Sequence, residues 1–136
     1  MRERVAVRPL DIRLHVAYCR QLNCYIFSRD GQLQAMAASG LDRLQVDFAR
    51  EFVAVVCRGE CRTGGYAVRV KQALVREKTL LLEVELIDPA PEAAVTLAMT
   101  YPQAAVAVPR AAFGGLPERV ILRETGSGRE LLAVAL

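Results

Sequence analysis

The chain has 136 residues, enough to bury a core as a single domain over 1–136, and 53% of them are hydrophobic, which excludes a disordered segment. Net charge is only +3, and the basic residues are scattered, densest at Arg2, Arg4 and Arg8, which argues against a nucleic-acid surface. No run approaches the roughly 18 apolar residues of a membrane span, and charge or proline interrupts every candidate leader; the expectation is a cytoplasmic chain as written, extracytoplasmic if a leader was removed.

Alternation of apolar and polar residues predicts strands over 2–8 and 11–19, with Pro9 in their connection. In the second, Ile12, Leu14 and Val16 face one way, and Arg13 and His15 the other. A short strand over 23–27 follows. Ser28 then caps the one helix, over 30–38, which puts Leu33, Met36 and Ala37 on one face and stops at Gly40. Residues 41–45 read as a helical turn or plain loop. Strands return at 51–58, 66–75 and 79–88. A three-residue turn at Arg76-Glu77-Lys78 would set Arg69 against Glu85, Lys71 against Glu83, Val68 against Leu86 and Val70 against Val84, with charges on one face and apolar groups on the other. Residues 94–100 and 103–108 read as two strands broken at Tyr101-Pro102, and 111–117 as a loop. The tail is a hairpin, 119–124 and 129–135, turning at Gly126-Ser127, with Glu124 against Arg129, Arg123 against Glu130 and Leu122 against Leu131. The fold class is mainly β: an antiparallel β-sandwich or partly open barrel with one short helix.

Between two of these strands lies Gly59-Glu60-Cys61-Arg62-Thr63-Gly64-Gly65-Tyr66. Three glycines in so short a stretch imply backbone with φ > 0, hence a shaped loop that projects Arg62 and Thr63 while Tyr66 anchors its base. The partner-binding residues expected on this basis are Gly59, Glu60, Arg62, Thr63, Gly64, Gly65 and Tyr66. Glu60 reads equally as a turn residue accepting loop amides or as a partner contact.

Catalytic chemistry has little to stand on. His15 is the single histidine, on the polar face of a strand, and Ser28, Ser39 and Ser127 are explained as a helix cap, a helix end and a turn. No nucleophile elbow, zincin motif or phosphate loop occurs. Cys61 beside Arg62, with His15 as base, is the one nucleophile to weigh, and the expectation is that the chain is not an enzyme. Four cysteines are spaced C-x4-C (Cys19, Cys24) and C-x3-C (Cys57, Cys61), not as tight zinc knuckles. Cys19, Cys24 and Cys57 read as small buried hydrophobes and Cys61 as a loop residue; no metal, no cofactor and no structural disulfide is expected.

Val46-Asp47-Phe48, the apolar strand after it, Gly59-Glu60, then Thr63-Gly64-Gly65-Tyr66, Thr100-Tyr101-Pro102 and the strand ending at Pro109 together resemble the PrcB C-terminal domain family over about 26–110. Residues 1–25 and 111–136 fall outside the likeness, and Cys61-Arg62 stands where the family often has Lys-Pro. That family is named for a subunit of a bacterial surface protease complex, so the resemblance implies a noncatalytic, β-rich accessory domain that associates with a protease. Thr63 and Gly65-Tyr66 are also similar to the inhibitory loop of chagasin-type cysteine-protease inhibitors, although the chain has no tryptophan. The resulting expectation is a protein-interaction module contacting its partner through 59–65. A cysteine-protease inhibitor and a self-assembling structural domain, a homodimer paired through an edge such as 2–8, are the alternatives.

Overall fold

Six consecutive apolar residues, Phe52 to Cys57, cannot alternate between core and solvent, so their strand needs cover on both faces. In the computed structural model, which describes residues 3–136, the chain is arranged around that strand. The strands run β1 (Glu3–Val5), β2 (Arg8–Leu10), β3 (Arg13–Leu14), β4 (Asn23–Phe27), β5 (Ala37–Ser39), β6 (Glu51–Cys57), β7 (Ala67–Arg76), β8 (Thr79–Ile87), β9 (Gln103–Pro109), β10 (Arg119–Glu124) and β11 (Glu130–Ala135). One α-helix, α1 (Asp30–Met36), lies between β4 and β5.

A five-stranded sheet, β1-β7-β8-β10-β11, faces a four-stranded sheet, β2-β9-β6-β4. Between them Val75, Leu80, Leu82, Val84, Val120 and Leu122 meet Cys24, Phe52, Ala54, Val56, Val106 and Val108 in one core. The other face of the four-stranded sheet presents Phe27, Val53, Val55, Cys57 and Ala105 to a second core, closed by Ile12, Leu14, Cys19 and Leu33. The outcome is a mainly β, sandwich-like fold with a third layer of α1 and the small β3-β5 sheet. Gln103 docks that layer: its side-chain amide accepts from the Leu14 N–H at 2.8 Å and donates to the Leu14 carbonyl at 3.0 Å, as a neighbouring strand would.

Several sequence expectations change here. The stretch 2–8 is two strands in different sheets, Val5 pairing with Ala73 and Arg8 with Ala107; Arg2 lies outside the described residues. Pro9 sits inside β2, an edge strand, where a missing N–H interrupts no second ladder. Of 11–19 only Arg13–Leu14 is extended; a 3-10 turn takes Val16–Tyr18 and leaves Val16 49% exposed. The helix is capped from its third residue, the Gln32 side-chain oxygen accepting from the Ser28 and Arg29 N–H groups, rather than by Ser28. It ends at Met36, because 37–39 pairs with β3, and Gly40 (φ 95°) opens a 3-10 turn over Leu41–Arg43 instead.

The β7–β8 hairpin turns on two residues, Glu77 and Lys78, since Arg76 pairs with Thr79. Arg69 does face Glu85, Val68 faces Leu86 and Val70 faces Val84, but Lys71 is the extra residue of a bulge and Gln72 takes the place opposite Glu83. The bulge shifts inward parity by one, so that Val68 and then Ala73 and Val75 all reach the core. Glu83 accordingly meets Arg123 of β10 at 2.6 Å and Gln72 at 3.0 Å. A second bulge sets Leu122 opposite Leu132, not Leu131, while Arg123 pairs with Glu130. Nor is the sandwich wholly antiparallel: β10 lies parallel to β8, after the chain has crossed through β9 in the other sheet. Residues 94–100 form no strand. Both flanks of β8 are taken by β7 and β10, and the stretch makes only a single bridge, Thr100 to Cys61. Within 111–117, a 3-10 turn over Arg110–Phe113 drives Phe113 into the core, edge-on to Phe52 with ring centroids 5.8 Å apart.

Phe52 is fully buried where β6 meets both β9 and that turn. Phe52→Ala should therefore cost about 3–5 kcal/mol in urea unfolding; a loss below about 1 kcal/mol would show that this end of the core can collapse around the gap.

Candidate functional site

The loop 59–65 leaves the end of β6 and returns as β7. Gly59 (φ 110°) and Gly65 (φ 90°) occupy the left-handed region, whereas Gly64 does not. Gly59 lies against the backbone of Gln21 and Leu22, where a Cβ would stand 3.2 Å from the Leu22 nitrogen. At Gly65 a Cβ would come within 2.7 Å of the Pro89 ring, and at Gly64 within 2.6 Å of the Thr96 hydroxyl.

Backbone hydrogen bonds tie the loop down on two sides. Cys61 and Thr100 exchange N–H···O bonds of 2.8 and 2.9 Å, and the Gly64 N–H donates to the Thr96 carbonyl at 3.0 Å. The Thr100 hydroxyl adds a bond to the Thr63 carbonyl at 2.8 Å. On the other side the Glu60 N–H donates to the Arg20 carbonyl at 3.1 Å. The Glu60 carboxylate accepts from the Tyr101 hydroxyl at 2.8 Å and stands 3.5 Å from the Arg20 guanidinium, so its partners are side chains and not loop amides. That bond to Glu60 makes the Tyr101 phenol harder to ionise.

Arg58, which sequence reasoning passed over, closes the root. Its guanidinium donates to the carbonyls of Ala67 (3.1 Å) and Ile87 (2.6 Å), pairs with the Asp88 carboxylate, and lies 5.0 Å over the Tyr66 ring. Tyr66 is thus held beneath a cation that is itself only 15% exposed. One arginine in this way joins the end of β6 to both strands of the β7–β8 hairpin. The available signal was a lone arginine ending an apolar strand, with an aspartate ending the hairpin that follows.

Arg62 is exposed at the tip and Thr63 half-buried behind it. Beside them the 96–100 segment presents Leu97, 89% exposed, and Met99, 58% exposed. Neither was among the expected site residues, because 94–100 read as a strand and the site was placed on the loop alone. A groove of about 260 Å³ runs along the loop base, lined by Arg13, Tyr66, Thr100 and Tyr101.

The Cys61 thiol lies half-buried, 3.7 Å from the Gly59 carbonyl oxygen. Burial pushes its pKa up, outweighing the lowering by Arg58, and Asp88 adds to the rise; the expected help from Arg62 is not what sets it. Cys24, in the core between the sheets, is pushed up to about 12 by burial. Among the described residues no three His, Cys, Asp or Glu side chains converge as metal ligands would. No helix among them is long and apolar enough to cross a membrane.

The PrcB C-terminal family matches residues 52–109. The match spans β6 to β9, and so includes the glycine loop, the Arg58 clamp and the 96–100 segment hydrogen-bonded to it. It begins later than the resemblance over 26–110 suggests, leaving β4, α1 and Val46-Asp47-Phe48 outside. No curated protein and no solved structure matches the chain.

The two glycines should respond differently to added side chains. Gly65→Ala meets both a left-handed backbone and the Pro89 ring, and should cost about 1–3 kcal/mol in urea or thermal unfolding. Gly64→Ala should cost less than about 1 kcal/mol, since a threonine hydroxyl can rotate away; equal costs would contradict this geometry. Alkylation of Cys61 by iodoacetamide should be slower at pH 7.5 than that of a free cysteine and should rise only as pH passes the ordinary thiol value, because a raised pKa leaves less thiolate at neutral pH. A rate at pH 7.5 above that of free cysteine would reverse the sign of the shift.

Proposed function

We propose that the chain is a noncatalytic protein-interaction module, accessory to a protease, that contacts its partner through the loop 59–65 and the adjoining 96–100 segment. The observation behind this reading is that an exposed arginine, Arg62, and two exposed apolar side chains, Leu97 and Met99, lie on segments hydrogen-bonded to each other. Loops held on a rigid sheet present such groups at low entropic cost, and arginine with large apolar side chains is the composition of interface anchors. The family match across 52–109 supports association with a protease complex. Gly59, Gly64 and Gly65 shape the surface, Tyr66 and Glu60 fix its base, and Arg62 and Thr63 with Leu97 and Met99 touch the partner.

The test is capture from an extract of the source organism on the immobilised chain, compared with Arg62→Glu and Leu97→Ser variants of unchanged melting temperature. A peptidase, identified by mass spectrometry, should be retained by the unsubstituted chain and lost at least about tenfold by either variant, the size expected of an interface anchor. Retention undiminished by both variants would move the contact elsewhere. Recovery of the chain alone would favour self-assembly, and peptide hydrolysis by the purified chain would overturn the noncatalytic reading.

A further inference from the structure

Two of the four cysteines lie together in the second core. Cys19 follows the 3-10 turn Val16–Tyr18, Cys57 is the last residue of β6, both side chains are fully buried, and their Sγ atoms stand 2.7 Å apart. That separation is within an ångström of the roughly 2.05 Å of an S–S bond. Two thiolates sharing a zinc ion, each about 2.3 Å from the metal, stand much further apart. Neither remaining cysteine competes: Cys24 belongs to the core on the opposite face of the sheet, and the Cys61 thiol sits on the Gly59 carbonyl.

The position of the pair gives a bond there a consequence. Two residues beyond Cys57, Gly59 packs on Gln21 and Leu22, and the Glu60 N–H donates to the Arg20 carbonyl. A Cys19–Cys57 link would fasten the strip 19–22 to the root of the glycine loop just where those contacts begin. It would also close a loop across 38 residues of sequence, covering β4, α1, β5 and β6, and so restrict the unfolded chain.

We propose that Cys19 and Cys57 are a covalent modification site, a thiol pair that oxidises to a disulfide and locks the root of the loop. The oxidant is a small disulfide such as glutathione disulfide. One cysteine thiolate attacks a glutathione sulfur and expels a glutathione thiolate, giving a mixed disulfide. The second cysteine thiolate then attacks the first cysteine's sulfur, forming the Cys19–Cys57 bond and releasing the second glutathione. The two cysteine thiols lose two protons and two electrons, and the oxidant is reduced to two glutathione thiols. Burial raises both thiol pKa values in the folded chain, so the exchange takes place while the chain folds, and the completed bond is then shielded from reductant.

The experiment uses the unsubstituted full chain, so it does not depend on a variant folding. The chain is refolded from denaturant with reduced and oxidised glutathione, or with reductant alone, and thiols are counted after a second denaturation. Two titratable thiols are expected after oxidative refolding against four after reductive, with one peptide pair mapping to Cys19 and Cys57. The bridged form should melt about 10–15 °C higher, as closing a loop of this length in a domain of this size predicts, and exchange of the Glu60 amide should slow about tenfold or more. Four remaining thiols, or a bridge mapped to Cys24 or Cys61, would overturn the pairing. A mapped Cys19–Cys57 bridge with unchanged Glu60 exchange would overturn the lock on the loop.

Discussion

Burial of β6 on both faces is the constraint from which the rest of the architecture follows. Phe52, Ala54 and Val56 enter the core between the sheets, while Val53, Val55 and Cys57 enter the core on the other side, all with no exposed surface. A strand of this composition left with one face in water would forfeit roughly 1.5–3 kcal/mol for each large side chain uncovered. Two layers must therefore close over it. The five-stranded sheet provides one, and the segment from β3 through α1 and β5 provides the other. The glycine loop starts where this doubly covered strand ends.

How much of this the sequence discloses depends on whether the information is local. The apolar run of β6, the strand Asn23–Phe27 and the far half of the β7–β8 register follow from alternation and charge pairing, which are properties of neighbouring residues. The bulge at Lys71 escapes the same reasoning because one uniform register satisfies the charges of the whole hairpin, and only the inward positions of Ala73 and Val75 break the tie. Lys71-Gln72, two polar residues in succession, is the trace it leaves. The parallel contact of β8 with β10 has no local trace, since it depends on the chain passing through the other sheet before it returns. Residues 94–100 have strand-like composition, but β8, the strand that precedes them, is already flanked by β7 and β10, and tertiary context overrides propensity there.

In the candidate site the glycines and the base residue Tyr66 are legible, and the neighbours that hold them are not. Arg58, Thr96 and Thr100 act on the loop from the residue after β6 and from a segment more than thirty residues further along the chain. Their effect is to convert a flexible-looking bend into part of a two-segment surface. Gly65 is needed because Pro89 approaches from the end of the hairpin, while at Gly64 the close neighbour is the movable Thr96 hydroxyl. Glycine content here thus reflects close approach as much as φ, as the negative-φ Gly64 shows.

The family match and the doubly covered strand bear on each other. Residues 52–109 include nearly all of β6 and the whole of β9, whose outward side chains Val53, Val55, Cys57 and Ala105 are apolar and are buried beneath side chains drawn from residues 10 to 48. The matched segment of this chain is therefore not self-sufficient: its loop root is held partly by Arg20, Gln21 and Leu22, which lie outside the match. Glu60, at one side of the proposed interaction surface, is positioned from both: the Arg20 carbonyl and guanidinium belong to the unmatched N-terminal layer and the Tyr101 hydroxyl to the matched segment. The shape of this surface is set jointly by the 52–109 segment and by the layer that keeps β6 dry.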